Sequence, residues 1–577
     1  MSIEKTNFLQ RRWALFVIGW ALIVIGSLTA HFVQTSGGVS IETVQYERED
    51  GKMMRALLYT PETASPTSKA SAILAVHGYI NTREFQSGFA IEFARRGYVV
   101  LTPDQSGHGY SDPPAFANGF GGPASLAYLR SLDVVDTDNI GLEGHSMGGW
   151  AVLAAAATYP DHYKSLVLEG SSTGAPFALD GTPEWPRNLG LVFSKFDEFS
   201  PLMWGTARAS DAGTGDKMKA VFGTDQTIIE GKIYGDISAG TARAFFQPAV
   251  THPGDHISTA AIGHAVDWFD RTLDGGTPLK SQNQIWMLKE AGTLIALIGF
   301  IVLLLGSFEL LLALQQFSTL RATPTDVAYG KRDRKWWGVA VVSAIIPVAT
   351  FYPFFKLSEA LLPASALMPQ SVTTQVAVWA VFNAIILTII GLLVRGTSVK
   401  TEPKIGRALV IALLTVGIGY VAVWLASAVF QLDFRFWIVG VKLLSVTQAK
   451  IALIYLLPFG VYFLLASRAL HLGMSSAGDR VWADYAANIA ILAGGFFVFL
   501  IVQYSALFLT GTLITPNEPL NTIIMHQFVP LMLIIAVIGT FTYRRTASYL
   551  PGAFINTLFV TWYIVASQAI QYPNVAG

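Results

Sequence analysis

The chain has 577 residues, of which 52% are hydrophobic and 14% charged, with a formal net charge of zero and no cysteine. The length predicts at least two structural units, and the apolar fraction predicts that part of the chain lies in lipid. The zero net charge provides no global basic field for nucleic-acid binding, and the absence of cysteine excludes disulfides, thiolate metal sites and a cysteine nucleophile.

The N-terminus carries one long apolar segment. The run WALFVIGWALIVIGSLTAHFV follows MSIEKTNFLQRR and is long enough to cross a hydrocarbon core. A cleaved signal peptide is the alternative, but the run exceeds a typical signal-peptide core and no A-x-A-like site closes it. Lys5, Arg11 and Arg12 precede the run, so the positive-inside rule places the N-terminus in the cytoplasm. Residues 1–39 are therefore predicted to be a transmembrane anchor.

Residues 40–280 have the pattern of an α/β domain. ETVQYERED and KMMRALLYT are alternating runs joined at Asp50-Gly51, which predicts a β-hairpin. Short apolar runs follow, most of them separated by helical stretches: ASAILAVHG, GYVVLTPD, NIGLEG, SLVLEG and LGLVFSK. This alternation predicts a doubly wound, mostly parallel sheet with helices on both faces. An insertion at about 201–240, rich in Gly, Asp and Thr, is predicted to cover the site as a lid.

The last part of the chain, 281–577, is strongly apolar and is predicted to be an all-α transmembrane bundle of about eight helices. The runs of span length are 291–315, 337–356, 374–394, 407–429, 450–467, 485–510, 520–541 and 547–569. Lys and Arg concentrate at every second joint, as at Arg334, Arg395 and Arg544. This alternation independently places 40–280 outside the cytoplasm. We expect a multi-pass protein of the cell membrane, of the bacterial inner-membrane type, with its α/β domain on the extracytoplasmic side.

Three polar features interrupt the apolar half. QLDFRFWIVGVKLLSVTQ is aromatic but carries Arg435 and Lys442, which predicts an interfacial or re-entrant helix. If this segment spans the membrane instead, the orientation of everything after it inverts. Glu309 and His526 lie inside predicted spans near their ends, and a helix-end partner or snorkelling is the favoured interpretation over a transport role.

Ser146 lies where an apolar strand gives way to an alanine-rich helix. Gly144-His145-Ser146-Met147-Gly148 matches G-x-S-x-G, a motif that is weak by itself. The flanking strand IGLEG and helix GWAVLAAAATYP supply the setting of a nucleophile elbow, which needs an abrupt strand end, a strained turn and small neighbours. The dipole at the helix N-terminus favours a developing anion there. Ser146 is therefore the candidate nucleophile, against the alternative of an ordinary turn residue.

Further motifs accompany the elbow in chain order: HGYIN, GYVVLTPDQSGHGYSD, IGLEGHSMGG and HPGDH. On these motifs, residues 71–274 resemble the α/β-hydrolase fold family, of the serine esterase/lipase or serine aminopeptidase type. The resemblance covers a little over a third of the chain. It implies an oxyanion hole formed by the backbone N–H groups of Tyr79 and Met147.

The family orders its catalytic triad as serine, acid, histidine. Asp197, after the late strand LGLVFSK, occupies the position of the acid, with Glu198 the near alternative and Glu169 the distant one. His256 lies in a loop between a strand and a helix, where the family has its base, and His252 is the runner-up because it also follows the strand.

The remaining histidines of this part are expected to be structural. His264 falls within a helical pattern, and His77, His108 and His145 belong to turns around the site, where hydrogen bonding that shapes the loops is the favoured role.

The resemblance implies a membrane-embedded serine hydrolase that cleaves carboxylic esters, of lipids or small acyl compounds, through an acyl-enzyme and without metal or organic cofactor. A serine peptidase, aminopeptidase or acyltransferase that uses the same triad is the alternative. A transporter or scaffold with a regulatory hydrolase domain is a further one. The expected partners are the lipid bilayer and an acyl ester, lipid or peptide substrate, with no nucleic acid.

Overall fold

A computed structural model describes residues 2–277, 279–324, 328–393, 404–476 and 480–572. The chain begins with helix α1 (Ser2–Gln34) and continues directly into an eight-stranded sheet. The strands are β1 (Ser40–Glu47), β2 (Met53–Thr60), β3 (Ala70–Val76), β4 (Val99–Pro103), β5 (Val135–His145), β6 (Ser165–Glu169), β7 (Leu189–Val192) and β8 (Arg243–Phe246).

The sheet has the strand order β1-β2-β4-β3-β5-β6-β7-β8. The strands β1 and β2 form the predicted hairpin, in which Gly51 supplies the positive φ of +75° that the turn needs. The strand β2 pairs with β4 antiparallel, and every pairing from β4 to β8 is parallel. The prediction of a doubly wound, mostly parallel sheet is therefore confirmed.

Helices cover both faces of this sheet. They are α2 (Ser87–Ala94), α3 (Gly122–Ser131), α4 (Met147–Thr158), α5 (Ser200–Met203), α6 (Asp216–Phe222) and α7 (Thr259–Thr272). The apolar side chains of α2 and α7 form one buried cluster with the strands, and those of α3 and α4 form another. Trp204, Met218 and Phe222, from the insertion at about 201–240, belong to the second cluster. The insertion is thus packed into the domain core, and its role as a lid stays a prediction.

Nine further helices follow in the part of the chain that the structure describes. They are α8 (Trp286–Ala313), α9 (Arg334–Ala349), α10 (Phe351–Leu361), α11 (Ser371–Leu393), α12 (Ile405–Phe430), α13 (Val446–Gly473), α14 (Val481–Thr510), α15 (Pro519–Thr546) and α16 (Leu550–Ser567). Counting α1, eight helices within the described ranges are long and apolar enough to cross a membrane, which indicates a membrane protein. The helices α9 and α10, bent by 42° at their break, would form a ninth span if taken together.

Glycines bring α1 against α8 with their backbones in near contact. A Cβ atom at Gly26 would lie 2.4 Å from the carbonyl oxygen of Gly292, and one at Gly306 would lie 2.3 Å from the backbone nitrogen of Phe16. Gly299 faces α1 in the same way. Small residues at such positions allow the close approach on which helix packing in lipid depends. The N-terminal helix is thereby fixed to α8, the first helix of the apolar half.

The prediction of an interfacial or re-entrant helix for the segment around Arg435 is wrong. The segment forms an antiparallel hairpin of β9 (Phe434–Phe436) and β10 (Val439–Val441), turned at Trp437. Arg435 and Lys442 are not directed at lipid headgroups. Both are buried, which is possible because each is paired with an acid. Arg435 contacts Asp433 at 2.6 Å, and Lys442 contacts Glu84 of the sheet domain at 3.0 Å.

The ends of the helices fall into two groups. At the joints rich in Lys and Arg, Glu309 pairs with Arg545, and Arg544 pairs with Asp484, so Glu309 has the helix-end partner expected. Residues 394–403, which include Arg395, lie outside the described residues. The sheet domain contacts the bundle elsewhere: at the β9–β10 hairpin, at the C-terminal end of α14 and at the segment after α16.

Candidate active site

Ser146 joins β5 to α4 in a strained turn. It has φ of 55° and ψ of −120°, a conformation that non-glycine residues rarely adopt and that clusters at functional sites. The glycines of the motif are needed for clearance, because a Cβ atom at Gly148 would lie 2.0 Å from the carbonyl oxygen of Val76. The amide of Ser146 donates to the carbonyl oxygen of Glu169 at 2.8 Å. The turn therefore has the geometry that the motif predicts, and Ser146 is partly exposed between buried neighbours.

The loop after β3 lies against this turn. A Cβ atom at Gly78 would lie only 3.1 Å from the Cβ of Ser146. His77 anchors the loop: its Nε2 accepts a hydrogen bond from the amide of Gln105 at 3.1 Å, so its Nδ1 carries the proton and donates to the carbonyl oxygen of Gly78 at 2.7 Å. Burial lowers the pKa of His77 to about 3, which keeps the ring neutral.

Of the two amides expected in the oxyanion hole, one follows the serine in sequence and the other lies in the loop after β3, which packs against the serine turn. Met147 is the first residue of α4, and Tyr79 follows Gly78 directly. Neither amide donates to a backbone acceptor within the described ranges. Both donors are therefore available to an oxygen that forms beside Ser146.

Asp197 and His252 form a buried pair. The Nδ1 of His252 lies 2.7 Å from the Oδ2 of Asp197, and the Oδ1 of Asp197 accepts from the amide of Phe199 at 2.7 Å. The His252 ring also lies 4.7 Å from the ring of His145, the residue before Ser146. With Nδ1 donating to the acid, Nε2 is the nitrogen that can accept a proton.

Burial dominates the electrostatics of this pair. It lowers the pKa of His252 to about 4, so the imidazole is neutral near pH 7. Burial and the nearby Asp255 raise the pKa of Asp197, against the hydrogen bond from Phe199. Burial therefore disfavours the charged form of both side chains in the free protein. When His252 takes up a proton, the carboxyl group of Asp197 is its direct hydrogen-bond partner.

The sequence favoured His256 as the base, but the structure pairs Asp197 with His252, the alternative. A 3₁₀ turn from His252 to Ile257 separates the two rings. His256 is buried with its ring centre 4.1 Å from that of Phe85 and 4.1 Å from that of His145. Neither of its nitrogens has a hydrogen-bond partner among the described residues. His252, at the start of the turn, faces the acid loop instead.

The two alternative acids do not contact the ring of His252. Glu198 accepts the backbone N–H of His252 at 2.8 Å, and burial, followed by the charge of Asp197, raises its pKa to about 8. Both carboxyl oxygens of Glu169 lack partners within the described part of the chain, and burial raises its pKa well above the usual range. Asp197 is therefore the acid that the geometry favours.

Four residues that contact the site were not predicted from the sequence. Asp255 lies with its Oδ2 3.5 Å from His145 Nε2 and accepts a hydrogen bond from Ser194, and its only signal was its place in HPGDH. The others come from the apolar half. The hydroxyl of Tyr504 donates to Glu198, the indole N–H of Trp437 to the Pro253 carbonyl and the Gln571 amide to the Tyr79 hydroxyl, each at 2.7 Å. No local pattern could have revealed contacts between residues so far apart in sequence.

A row of aromatic rings leads away from the oxyanion loop. Successive ring centres lie 4.9–6.3 Å apart along the series Tyr79, Phe116, Phe120, Phe177 and Trp150. Phe116 and Phe177 are 40% and 50% exposed. Phe116 and Phe120 both have positive φ. The loop that carries them is bonded to the bundle, because the amide of Ala115 donates to the carbonyl oxygen of Ile570. The row gives the site an apolar wall.

Within the described ranges, no group of three or more acidic or histidine side chains has an arrangement that could hold a metal ion.

Comparison with known proteins gives the same fold. Residues 71–220 match a family model described as alpha/beta hydrolase fold. Over 195 residues the chain is 30% identical to a monoacylglycerol lipase of Mycolicibacterium smegmatis, covering 32% of this chain and 64% of the lipase. Over 87 residues it is 39% identical to a 2-hydroxy-6-oxononadienedioate/2-hydroxy-6-oxononatrienedioate hydrolase of Burkholderia vietnamiensis, covering 15% and 29% of the two chains. The chain thus spans less than two thirds of each relative.

A solved structure of a dienelactone hydrolase-like promiscuous phosphotriesterase from metagenomic libraries aligns with 41% of this chain and 99% of its own, at 14% identity and a TM-score of 0.30.

Proposed function

We propose that the chain, whose α/β-hydrolase fold is followed by a helical region with spans of membrane length, is a membrane-embedded serine hydrolase that cleaves carboxylic esters. The proposed triad is Ser146, His252 and Asp197. The observation that carries it is the 2.7 Å contact between Asp197 and His252, two side chains on different loops, beside a serine in the strained elbow conformation.

The proposed reaction is acyl transfer in two steps. Ser146 attacks the acyl carbonyl carbon while Nε2 of His252 takes the hydroxyl proton, and Asp197 holds the ring tautomer and stabilises the imidazolium. The oxyanion accepts hydrogen bonds from the amides of Tyr79 and Met147. His252 returns its proton to the leaving alcohol, which leaves an acyl-enzyme. Water, deprotonated by the same base, then releases the acid and restores the serine.

The chemistry of the site supports an ester with an apolar acyl group. The wall beside the oxyanion loop is aromatic, and two acids around the serine turn, Glu169 and Asp255, are buried. A peptidase that selects a free amino terminus needs an accessible carboxylate to bind the ammonium group, and these acids are not accessible to one. An acyltransferase differs only in the acceptor that replaces water. The transporter alternative would use ionisable residues inside the spans, and one of the two candidates, Glu309, is paired with Arg545.

The test is turnover by the purified full-length protein in detergent, with acyl esters of graded chain length and a parallel set of aminoacyl amides. We expect the short to medium esters to be hydrolysed, and Ser146→Ala to reduce kcat by about a thousandfold or more. Ser210→Ala, at an exposed serine, is the control and should behave as wild type. Turnover of amides alone would replace the esterase with a peptidase, and ester turnover unaffected by Ser146→Ala would overturn the proposal.

A further inference from the structure

We propose that the helical bundle completes the active site, with Tyr504 of α14 and Trp437 of the β9–β10 hairpin acting as positioning residues for His252. This inference rests on the proposed function, because it assigns the bundle a part in activating Ser146. It gives the apolar half a direct role in the chemistry rather than that of an anchor alone.

The contact through Tyr504 reaches the base in two hydrogen bonds. The hydroxyl of Tyr504 donates to Oε1 of Glu198 at 2.7 Å, and Oε2 of the same carboxyl group accepts the backbone N–H of His252 at 2.8 Å. Asp197, which holds the His252 ring, is the residue before Glu198. One dipeptide of acids therefore fixes both the ring and the backbone of the base, and Tyr504 fixes the dipeptide.

Burial makes these contacts strong. Asp197, Glu198 and His252 are each no more than 5% exposed. Away from water a hydrogen bond is stronger, and a polar group that loses its partner cannot recover it from solvent. Loss of the Tyr504 hydroxyl would therefore leave Oε1 of Glu198 without a donor, and the acid loop would be free to shift.

Trp437 holds the other side of the base. Its indole N–H donates to the carbonyl oxygen of Pro253, the residue after His252, at 2.7 Å. Its own backbone N–H donates to Glu290 of α8 at 3.2 Å, which fixes the hairpin turn to the bundle. The ring of His526, in α15, lies between these two side chains. Its centre is 4.7 Å from that of the Tyr504 ring and 5.6 Å from that of the Trp437 ring. Side chains from α14 and from the β9–β10 hairpin thus contact the two loops that carry Asp197 and His252.

The bundle also contacts the part of the sheet domain that carries the second oxyanion donor. Gln571, after α16, donates to the hydroxyl of Tyr79 at 2.7 Å, and the amide of Ile570 donates to the carbonyl oxygen of Gly107 at 2.8 Å. Contacts from the bundle therefore flank both the loop of the base and the loop of the second oxyanion donor. The turn that carries Ser146 lies next to both loops.

The test uses the full-length protein in detergent and a fluorophosphonate, which reacts with an activated serine whatever the natural substrate. Tyr504→Phe removes only the hydroxyl, whereas Trp437→Phe keeps an aromatic ring but replaces the indole, with its N–H donor, by a smaller phenyl group. Tyr455→Phe is the matched control: this buried tyrosine of α13 bonds to Thr374 at 2.6 Å, within the bundle. We expect Tyr504→Phe to slow labelling of Ser146 about tenfold and to lower kcat for a short ester similarly, with KM within about twofold of wild type.

A purely structural role predicts a different result. If Tyr504 only anchored the domains, Tyr504→Phe and Tyr455→Phe would lower the unfolding temperature similarly and leave kcat and the labelling rate unchanged. That result would overturn the inference. Trp437→Phe tests the same claim independently should Tyr504→Phe fail to fold, with labelling expected to slow several-fold and an unchanged rate contradicting it. The double variant Tyr504→Phe/Glu198→Gln should raise the activation free energy by less than the sum of the two single increases, because both substitutions act through one carboxyl group.

The two proposals fail in distinguishable ways. Wild-type labelling that does not depend on Ser146 would overturn the proposed function and this inference together. Labelling that depends on Ser146 but is unaltered in both Tyr504→Phe and Trp437→Phe would overturn the inference alone.

Discussion

The ring of His252 lies 2.7 Å from the carboxylate of Asp197, and the backbone of the same histidine is bonded to the next residue along, Glu198. Two adjacent acids thus hold one base from two directions. The ring contact fixes the tautomer, and the backbone contact fixes the position of the loop. This arrangement separates the two histidines of HPGDH into different roles, which leads to the first prediction.

His252→Ala should lower kcat by about a thousandfold or more, because it removes the proposed general base. His256→Ala should instead destabilise the fold, by about 1–3 kcal/mol, because it leaves a cavity against Phe85 and His145. Steady-state kinetics and thermal unfolding on both variants separate these effects. A larger loss of kcat in His256→Ala than in His252→Ala would reverse the assignment.

The aromatic row predicts a dependence on acyl chain length. Phe177→Ala should reduce kcat/KM for medium-chain esters by about fivefold to tenfold while leaving acetyl esters within about twofold, because only a longer chain reaches the half-exposed ring. The measurement is kcat/KM across a series of linear acyl esters. Ile229→Ala, at a similarly exposed apolar side chain of the 201–240 insertion, is the control. Equal effects of Phe177→Ala on all chain lengths would exclude the row from substrate binding.

Glu143 predicts a pH dependence of stability. It is fully buried on β5, where its carboxyl group accepts from Gln86 at 2.6 Å, and burial raises its pKa to about 8. Its unfolded pKa is about 4.3. Between these values the folded state keeps a proton that the unfolded chain releases, so the contribution of Glu143 is full below about pH 4 and is lost as the pH rises through 8.

Glu143→Gln should remove this dependence. The variant and wild type should unfold at similar temperatures at pH 5, and the variant should be more stable by several degrees at pH 9. Differential scanning fluorimetry in detergent measures both. A difference between the two proteins that is the same at pH 5 and pH 9 would show that the carboxyl group of Glu143 does not titrate as proposed.

Much of the fold followed from the sequence, because its patterns are local. Alternating and continuous apolar runs gave the strands, and the run lengths gave the spans to within a few residues. The elbow was predictable because Gly144 and Gly148 leave clearance that no other residue would. The resemblance to the α/β-hydrolase fold implied Asp197 as the acid, because it follows a late strand, and the structure pairs its carboxyl group with His252.

What the sequence could not supply depends on distant contacts. His252 and His256 are four residues apart in one loop, and only the 3₁₀ turn determines which of them faces Asp197. At the β9–β10 hairpin the sequence predicts an interfacial or re-entrant helix, because an apolar, aromatic run carries Arg435 and Lys442. The partner of Lys442 is Glu84, far earlier in the chain. Tyr504 contacts Glu198 across 306 positions. Composition and spacing contain no signal for such pairs.

The positions of the joints rich in Lys and Arg predict on which side of the membrane each part of the protein lies. Arg544 pairs with Asp484 at one set of helix ends, while the sheet domain contacts other ends, such as that of α14 at Tyr504. With the positive-inside rule, this arrangement predicts that a reporter fused after Lys280 lies outside the cytoplasm and one fused after Arg334 lies inside. Fusions to a periplasm-active and a cytoplasm-active reporter measure the two positions. The same side for both fusions would contradict the topology.

The central claim is that Ser146 is an activated nucleophile. Mass spectrometry of the full-length protein after reaction with a fluorophosphonate tests it most directly, because the adduct can be mapped to one residue. We expect a single adduct on the peptide that contains Ser146, its absence in Ser146→Ala and its strong reduction in His252→Ala. An adduct on another residue, or labelling that persists in Ser146→Ala, would contradict the account.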